Sequence, residues 1–277
     1  MPQRSFYLFG GRELHLLSGL AGAVLLSGAL YVFWLPDVSE FKKKNPTETS
    51  FMLIKERQAR VQGKKLGRRM TWTGWYGISE NLKHAVLVAE DDGFYRHKGV
   101  DWESTKKALE TDWKKKRLAK GGSTITQQVA RNLYLSPSKN PLRKIKEILI
   151  ARRLEKELGK RRIFEIYLNI AEWGKGIYGA QAAAEAYFGK SAADLTPEEA
   201  AALAAALPSP RRYKPTGGTR FMERQKNRIV GRMRASGYLP DEAEDEALAE
   251  TFEALTSTDT QVEAGDTPAD ASTTTVS

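Results

Sequence analysis

The sequence predicts a mainly α-helical chain carried behind a single N-terminal membrane-spanning helix. Three observations predict it. Leu14 to Leu35 is a nearly uninterrupted apolar run with His15 as its only strongly polar member. Beyond residue 79, apolar residues recur at helical spacing between recognisable start and stop signals. Only residues 69–78, RMTWTGWYGI, favour a short strand, with β-formers broken by Gly74.

The 22 residues of the apolar run suit one crossing of a bilayer. Tyr31 and Trp34 at its far end fit an interfacial aromatic belt. The run closes on Phe33-Trp34-Leu35-Pro36, without the small-x-small pattern of a signal-peptidase site, so a retained anchor is expected. Arg4 and Arg12 precede the span and Lys42, Lys43 and Lys44 follow it, so charge alone would not put the bulk of the chain outside. Residues 1–13 are assigned to a cytoplasmic N-terminus, 14–35 to the span, and 36–68 to a linker and membrane-proximal region containing Pro36 and Pro46.

The helices follow in order. Leu82, Ala85, Val86 and Ala89 form a buried stripe, with Gly93 as the expected stop. Asp101 begins a helix bearing Trp102, Leu109 and Trp113, which runs into the basic stretch Lys114–Lys120. Thr124 and Gln127 have capping-box spacing. Pro141 opens a helix with Leu142, Ile145, Leu149 and Leu154 toward the core and Gly159 as its stop. Lys160 to Trp173 is expected to be helical throughout. Thr196-Pro197-Glu198-Glu199 is a capping box with proline in the first turn, and the Ala-rich run to Ala206 allows close helix packing before Pro208 and Pro210. Arg220 to Ala235 is a last helix, stopped by Gly237. Residues 241–277 read as an acidic, largely disordered tail.

Composition removes several classes of chemistry. The chain has no cysteine, which excludes disulfides, thiolate catalysis and Cys-based zinc sites. Its three histidines, His15, His84 and His97, are scattered. The net charge of +10 hides an asymmetry: the tail holds 11 acids and no lysine or arginine, leaving 44 basic residues against 23 acids elsewhere. A surface of net +21 seeks anions such as phosphates, nucleic acid or an anionic membrane.

Two stretches carry candidate chemistry. The apolar run Ala85–Ala89 leads into Glu90, Asp91 and Asp92, three acids at the C-terminal end of a helix. The dipole is negative there and the acids repel one another, so a carboxyl pKa is pushed up toward the range of a general base or acid. A solvated acidic turn is the competing reading. The second stretch is Gly121-Gly122-Ser123-Thr124-Ile125-Thr126-Gln127-Gln128. Its glycines permit close backbone approach to a ligand, its helix N-terminus favours anions, and Arg131 lies one turn beyond. Glu147, with Arg143 four residues before it on the same helix face, is a second carboxylate with a cationic neighbour. Gly189-Lys190-Ser191 lacks the leading glycine of a phosphate-binding loop, because Ala184 stands there. The Ser-x-x-Lys matches at Ser104 and Ser136 have no Lys-Thr-Gly partner.

Together these stretches resemble the glycosyltransferase family 51 domain of peptidoglycan synthesis. The resemblance rests on Glu90–Gly99, Gly121–Gln128, Arg143–Glu147, Lys160–Asn169 and Ala200–Pro210, in the family's order, over about residues 75–235. A short chain with one anchor and no transpeptidase module is similar to the family's monofunctional biosynthetic transglycosylases. One position departs: the family usually has lysine where this chain has Arg131, which keeps the charge but replaces a point donor by a planar fork.

The resemblance implies a lysozyme-like, mainly α catalytic domain, assigned to residues 69–240. It implies an enzyme that polymerises lipid II into β-1,4 glycan strands by inverting transfer, with release of undecaprenyl diphosphate, in cell wall biogenesis and maintenance of cell shape. Glu90 and Glu147 would be catalytic, Glu90 as the base. Ser123, Thr124, Gln127 and Gln128 would line the donor side, and Arg131, Lys139 and Arg143 would neutralise the leaving diphosphate. No ligand cluster demands a metal, and a divalent Mg or Mn ion on the diphosphate is compatible with the chemistry. The implied partners are lipid II, the growing glycan, membrane lipids and other cell-wall synthesis or division proteins, with no nucleic acid. The implied location is the bacterial inner membrane, with the catalytic domain periplasmic. A lytic enzyme on the same fold is one rival. A membrane-anchored basic binding protein is another, explaining the charge but not the ordered motifs.

Overall fold

A computed structural model describes residues 11–241 apart from 104, 107–121 and 139; of 11–14 and 17 it describes only the backbone. Among the described residues there are nine α-helices: α1 (Gly11–Phe33), α2 (Ser50–Val61), α3 (Glu80–Glu90), α4 (Ile125–Tyr134), α5 (Pro141–Glu157), α6 (Lys160–Ile170), α7 (Ala180–Phe188), α8 (Pro197–Ala206) and α9 (Arg220–Ala235). Three short strands join them: β1 (Arg69–Met70), β2 (Glu172–Gly174) and β3 (Ile177–Tyr178). The basic stretch Lys114–Lys120, the tail beyond Asp241 and Lys139 lie outside the described residues.

The chain divides into two compact units, residues 1–230 and 231–277. In the second, the described residues are the last turn of α9 and the turn after it. Gly237 takes φ +71° there, as the expected stop requires, and the Tyr238 N–H donates to the Met233 carbonyl at 2.9 Å.

In the first unit, α4 is the hub. It packs against α5, α6 and α2, and buries Ile125, Val129, Ala130 and Leu133. Local chemistry sets its start: the Thr124 hydroxyl accepts from the Gln127 N–H at 3.2 Å, and the Gln127 side chain accepts from the Thr124 N–H at 3.0 Å. Helix α3 begins at the Ser79 cap and lies along α8. Every residue from Ala200 to Ala206 is buried, so the small side chains of α8 do bring the two helices close.

Four expectations are corrected. Helix α3 ends at Glu90 and its C-cap is Asp91, at φ −160°, so Gly93 is not the stop. Gly159 is not the stop of α5: Leu158 is its C-cap, and Gly159, with φ −70°, caps the start of α6. The core face of α5 is Glu147, Ile150, Ala151 and Leu154, whereas Leu142 and Ile145 are exposed. Helix α6 ends at Ile170, and Glu172–Gly174 is strand β2, paired antiparallel with β3, which in turn pairs parallel with β1.

Asn169 holds this small sheet to α6. Its amide donates to the carbonyls of Thr73 and Glu165 at 2.9 and 2.8 Å, and its carbonyl accepts from the Thr73 N–H at 2.8 Å. Gly179, at φ +85°, follows β3, and a Cβ there would stand 2.8 Å from the Asn169 carbonyl oxygen. Only glycine lets the chain turn that close.

Residues 36–49 are fastened to the helices. Val38 is fully buried. Arg162 of α6 donates to the carbonyls of Phe41 and Lys44, each at 2.8 Å, and Lys42 pairs with Glu157 at 2.8 Å. Preceding this strap, α1 contacts α5 and leaves Leu16, Leu20, Val24, Leu25, Leu26, Leu30 and Phe33 exposed. Among the described residues no helix is long and apolar enough to cross a membrane. The side chains of Leu14 and Leu17, which belong to the apolar run, are not among them.

Asn169→Ala strips both backbone groups of Thr73 of their partner. It should lower stability by about 1–3 kcal/mol, the scale of leaving such groups unsatisfied, read as a shift of the urea midpoint. An unchanged midpoint would show that water replaces the amide without loss.

Candidate active site

The site is built where α3 ends and α4 begins. Asp91 turns the chain out of α3, and its carboxylate accepts from the Ile125 N–H at 2.9 Å, satisfying a free donor in the first turn of α4. Both oxygens of Asp91 also lie 3.0 Å from His97 Nε2. The Gly99 N–H donates to His97 Nδ1 at 3.2 Å, which assigns the ring's acceptor to Nδ1 and its donor to Nε2. The circuit closes through Thr124, whose hydroxyl donates to the Gly99 carbonyl at 2.6 Å. Asp91 thus holds the loop 91–99 in place.

This geometry leaves the neighbouring carboxyl available. Glu90, the last residue of α3, is partly exposed and, among the described residues, accepts one hydrogen bond, from Gln128 Nε2 at 2.7 Å. Burial of its carboxyl is the largest effect on it and pushes its pKa up; the Gln128 bond and the nearby Arg131 pull it down, while Asp91 adds to the rise. Fully buried Tyr167, from α6, lies close enough to Glu90 that the carboxylate reinforces the upward push of burial on the phenol.

The second carboxylate has different company. Glu147 is 1% exposed and accepts from Arg143 Nη1 at 2.7 Å on one oxygen and from Lys144 Nζ on the other. Lys144 also donates to the Ser123 hydroxyl at 2.9 Å, and Arg143 Nε donates to the Ser138 carbonyl. Glu147 fixes the direction of two cations, and Ser123 ties them to the approach to α4. Residues 123–131 therefore touch both carboxylates: Ser123 through Lys144, and Gln128 directly.

The sequence-derived residues separate into groups. Glu90, Gln128 and Arg131 come together, as do Glu147, Arg143 and Ser123. Thr124 and Gln127 are buried and use their side chains on the helix cap and Gly99, so in this structure they support the backbone of the site. Lys139 lies outside the described residues. Lys144 was missed, although its i,i+3 spacing to Glu147 is as good a signal as the i,i+4 spacing of Arg143. Tyr167 was not singled out by the sequence. Among the described residues no group of three or more His, Asp or Glu side chains could hold a metal ion.

The family model described as Transglycosylase matches residues 58–234. The chain belongs to the transglycosylase family. It is 46% identical over 220 residues to a protein of Azoarcus sp. (strain BH72) named biosynthetic peptidoglycan transglycosylase, covering 77% of this chain and 94% of that one. A protein of the same name from Dechloromonas aromatica (strain RCB) is 42% identical over 227 residues, covering 82% and 97%. One from Nitrosospira multiformis is 43% identical over 212 residues, covering 76% and 92%. In this transglycosylase the matched span includes both carboxylates and the segment between them.

Glu90 also sets a stability signature. A carboxyl whose pKa is raised by folding ionises less readily folded than unfolded, so ionising it costs stability, and the cost appears as pH rises above the unfolded value. Glu90→Gln removes that cost. The variant should melt no lower than the wild type at neutral pH, and any advantage should vanish below the ordinary glutamate value of 4.5. Gln128→Leu removes the bond that favours the carboxylate, so the acidic limb of the pH–rate profile should move to higher pH. An unmoved limb would separate Gln128 from the ionisation of Glu90.

Proposed function

We propose that Glu90 is the general base with which this peptidoglycan glycosyltransferase of cell wall synthesis extends a glycan strand from lipid II. The observation that carries the reading is the contrast between the two carboxylates. Glu90 has one neutral donor and is pushed toward protonation by burial; Glu147 is buried between two cations. Paired carboxyls in such different settings take different roles. Glu90 takes the proton from the 4-hydroxyl of the acceptor sugar. That oxygen bonds to the anomeric carbon of the donor strand as the bond from that carbon to undecaprenyl diphosphate breaks on the opposite face. A β-1,4 linkage forms by single inversion, following the carboxylate logic of inverting glycosidases with a sugar in place of water. Arg131, Arg143, Lys144 and Lys139 meet the charge that builds on the diphosphate, and Glu147 aims Arg143 and Lys144. A divalent Mg or Mn ion on the diphosphate would add to that neutralisation.

Lipid II is a membrane lipid, so the reading includes an anchor. Residues 14–35 hold α1 in the inner membrane as a single pass, with the catalytic domain, residues 69–240, on the periplasmic side and 1–13 in the cytoplasm. The apolar run and the exposed apolar side chains of α1 support it. The strap at residues 36–49 then sets the domain at a fixed height above the bilayer. Other cell-wall synthesis or division proteins are the expected neighbours there.

Glu90→Gln should lower lipid II polymerisation by at least ~10²–10⁴-fold, the usual contribution of a positioned general base, while the protein stays folded. Arg131→Ala should lower it by roughly 10²–10³-fold, as loss of one transition-state donor does, and Arg131→Lys should retain most of it. Near wild-type turnover by Glu90→Gln would move the base to another carboxylate. Protease added to intact spheroplasts should degrade residues 69–240, and full protection would overturn the topology.

A further inference from the structure

A cleft of about 610 Å³ opens between residues 97–102 and helix α5. Its volume falls in the range of small-ligand sites. Val100 is buried in it, and Lys98, Trp102, Arg152 and Lys156 are its exposed members. Gly99, at φ +87°, lays the backbone of this loop against Ala151 of α5, where an added Cβ would stand 3.3 Å from the Ala151 carbonyl. One wall is therefore closely packed.

Three features set the cleft apart from an ordinary solvated face. First, Lys98, Arg152 and Lys156 form no ion pair among the described residues. Arg152 and Lys156 are one helical turn apart on α5, where like charges repel. Second, Glu155, the one acid in the cleft, is engaged elsewhere: its carboxylate accepts from the Thr126 hydroxyl and from Lys160 Nζ, each at 2.6 Å. Among the described lining residues, three cations stand against this single acid. Third, Trp102 is 56% exposed beside these cations. An indole face next to lysine and arginine offers a stacking surface and charge-assisted donors in one place.

We propose that this cleft binds a peptide-bearing glycan segment, with a sugar ring on Trp102 and the peptide carboxylates on Arg152, Lys156 and Lys98. The guanidinium of Arg152 takes a carboxylate through two parallel donors, and the lysines act as point charges. The proposal rests on the glycan-polymerising reading for the identity of the ligand. The anion preference and the stacking face stand on the geometry. His97 lines the cleft and also holds Asp91, so the occupied cleft shares a residue with the support of the catalytic loop. The cleft gives the growing strand a hold outside the reaction centre, keeping product bound between transfers.

The test uses the full chain in detergent and a soluble disaccharide–peptide fragment of peptidoglycan, followed by calorimetry and tryptophan fluorescence. The fragment with free carboxylates should bind at least ~10-fold tighter than the same fragment amidated, since one charge-assisted bond is worth about that factor. Trp102→Ala and Arg152→Glu should each weaken binding by a similar factor, and Trp102→Ala should abolish most of the fluorescence change. Arg152→Glu should consume lipid II at the wild-type rate but release shorter strands. Equal affinity for the amidated fragment, binding indifferent to both substitutions, or tighter binding of an oligonucleotide in the same cleft would overturn the proposal. Lipid II turnover by the wild type is measured alongside. Fragment binding without turnover keeps the cleft and removes the polymerase reading, whereas turnover without fragment binding removes only the cleft.

Discussion

Asp91 joins the end of one helix to the beginning of another. Its carboxylate sits where α4 presents free N–H groups, a place the helix dipole makes favourable for an anion, and it holds His97 at the same time. His97 and Thr124 then pin Gly99 from both sides. Without that carboxylate, the Ile125 N–H would lose its partner and His97 Nε2 its acceptor, and the end of α3 would be held less firmly against α4. The position of Glu90 against Gln128 follows from it. Two adjacent acids thus have separate duties because one is satisfied by the fold and the other is not.

The same segment that anchors the loop carries the rest of the chemistry. Residues 123–131 meet Lys144 at one end and Glu90 in the middle, so α4 sets the relation between the two carboxylates. The arrangement has a thermodynamic cost at Glu90, whose ionised form is disfavoured by burial. On the proposed reading of Glu90 as the base, that cost is useful, since a fully solvated or fully paired carboxylate would hold a proton too weakly. Glu147, two turns into α5, is the opposite case: the buried charge is matched by two cations and serves to orient them.

The strap of residues 36–49 extends this rigidity toward the N-terminal helix. Arg162 has one guanidinium but reaches two carbonyls of the strap, the Asn45 side chain and Glu165. The strap is thereby held at fixed points on α6 and α5, which a loop of free chain would not be.

By itself the sequence determined what depends on neighbours within four residues. The capping boxes at Thr124–Gln127 and Thr196–Glu199, the proline start at Pro141, the bounds of α9 and the buried alanine run of α8 were legible, because caps and helix faces are local. Glu90 and Glu147 were singled out through the ordered motifs, and the structure shows how different the settings of the two are. Tertiary structure alone decided what distant segments do to one another. Gly93 and Gly159 are not stops, because Asp91 bonds to Ile125 and Leu158 is followed directly by a new helix. Helix α2 was hidden because Phe51, Met52, Leu53 and Ile54 form a run and not a spaced stripe. Strands β2 and β3 are two or three residues long, and the sheet is completed by β1, about a hundred residues earlier, which pairs with β3. Thr124 and Gln127 carry the right motif for lining a site, yet the fold covers both side chains, which bond to the helix cap and, through Thr124, to Gly99. Which polar side chain faces a ligand and which supports the backbone depends on that covering, and spacing along the chain does not contain it.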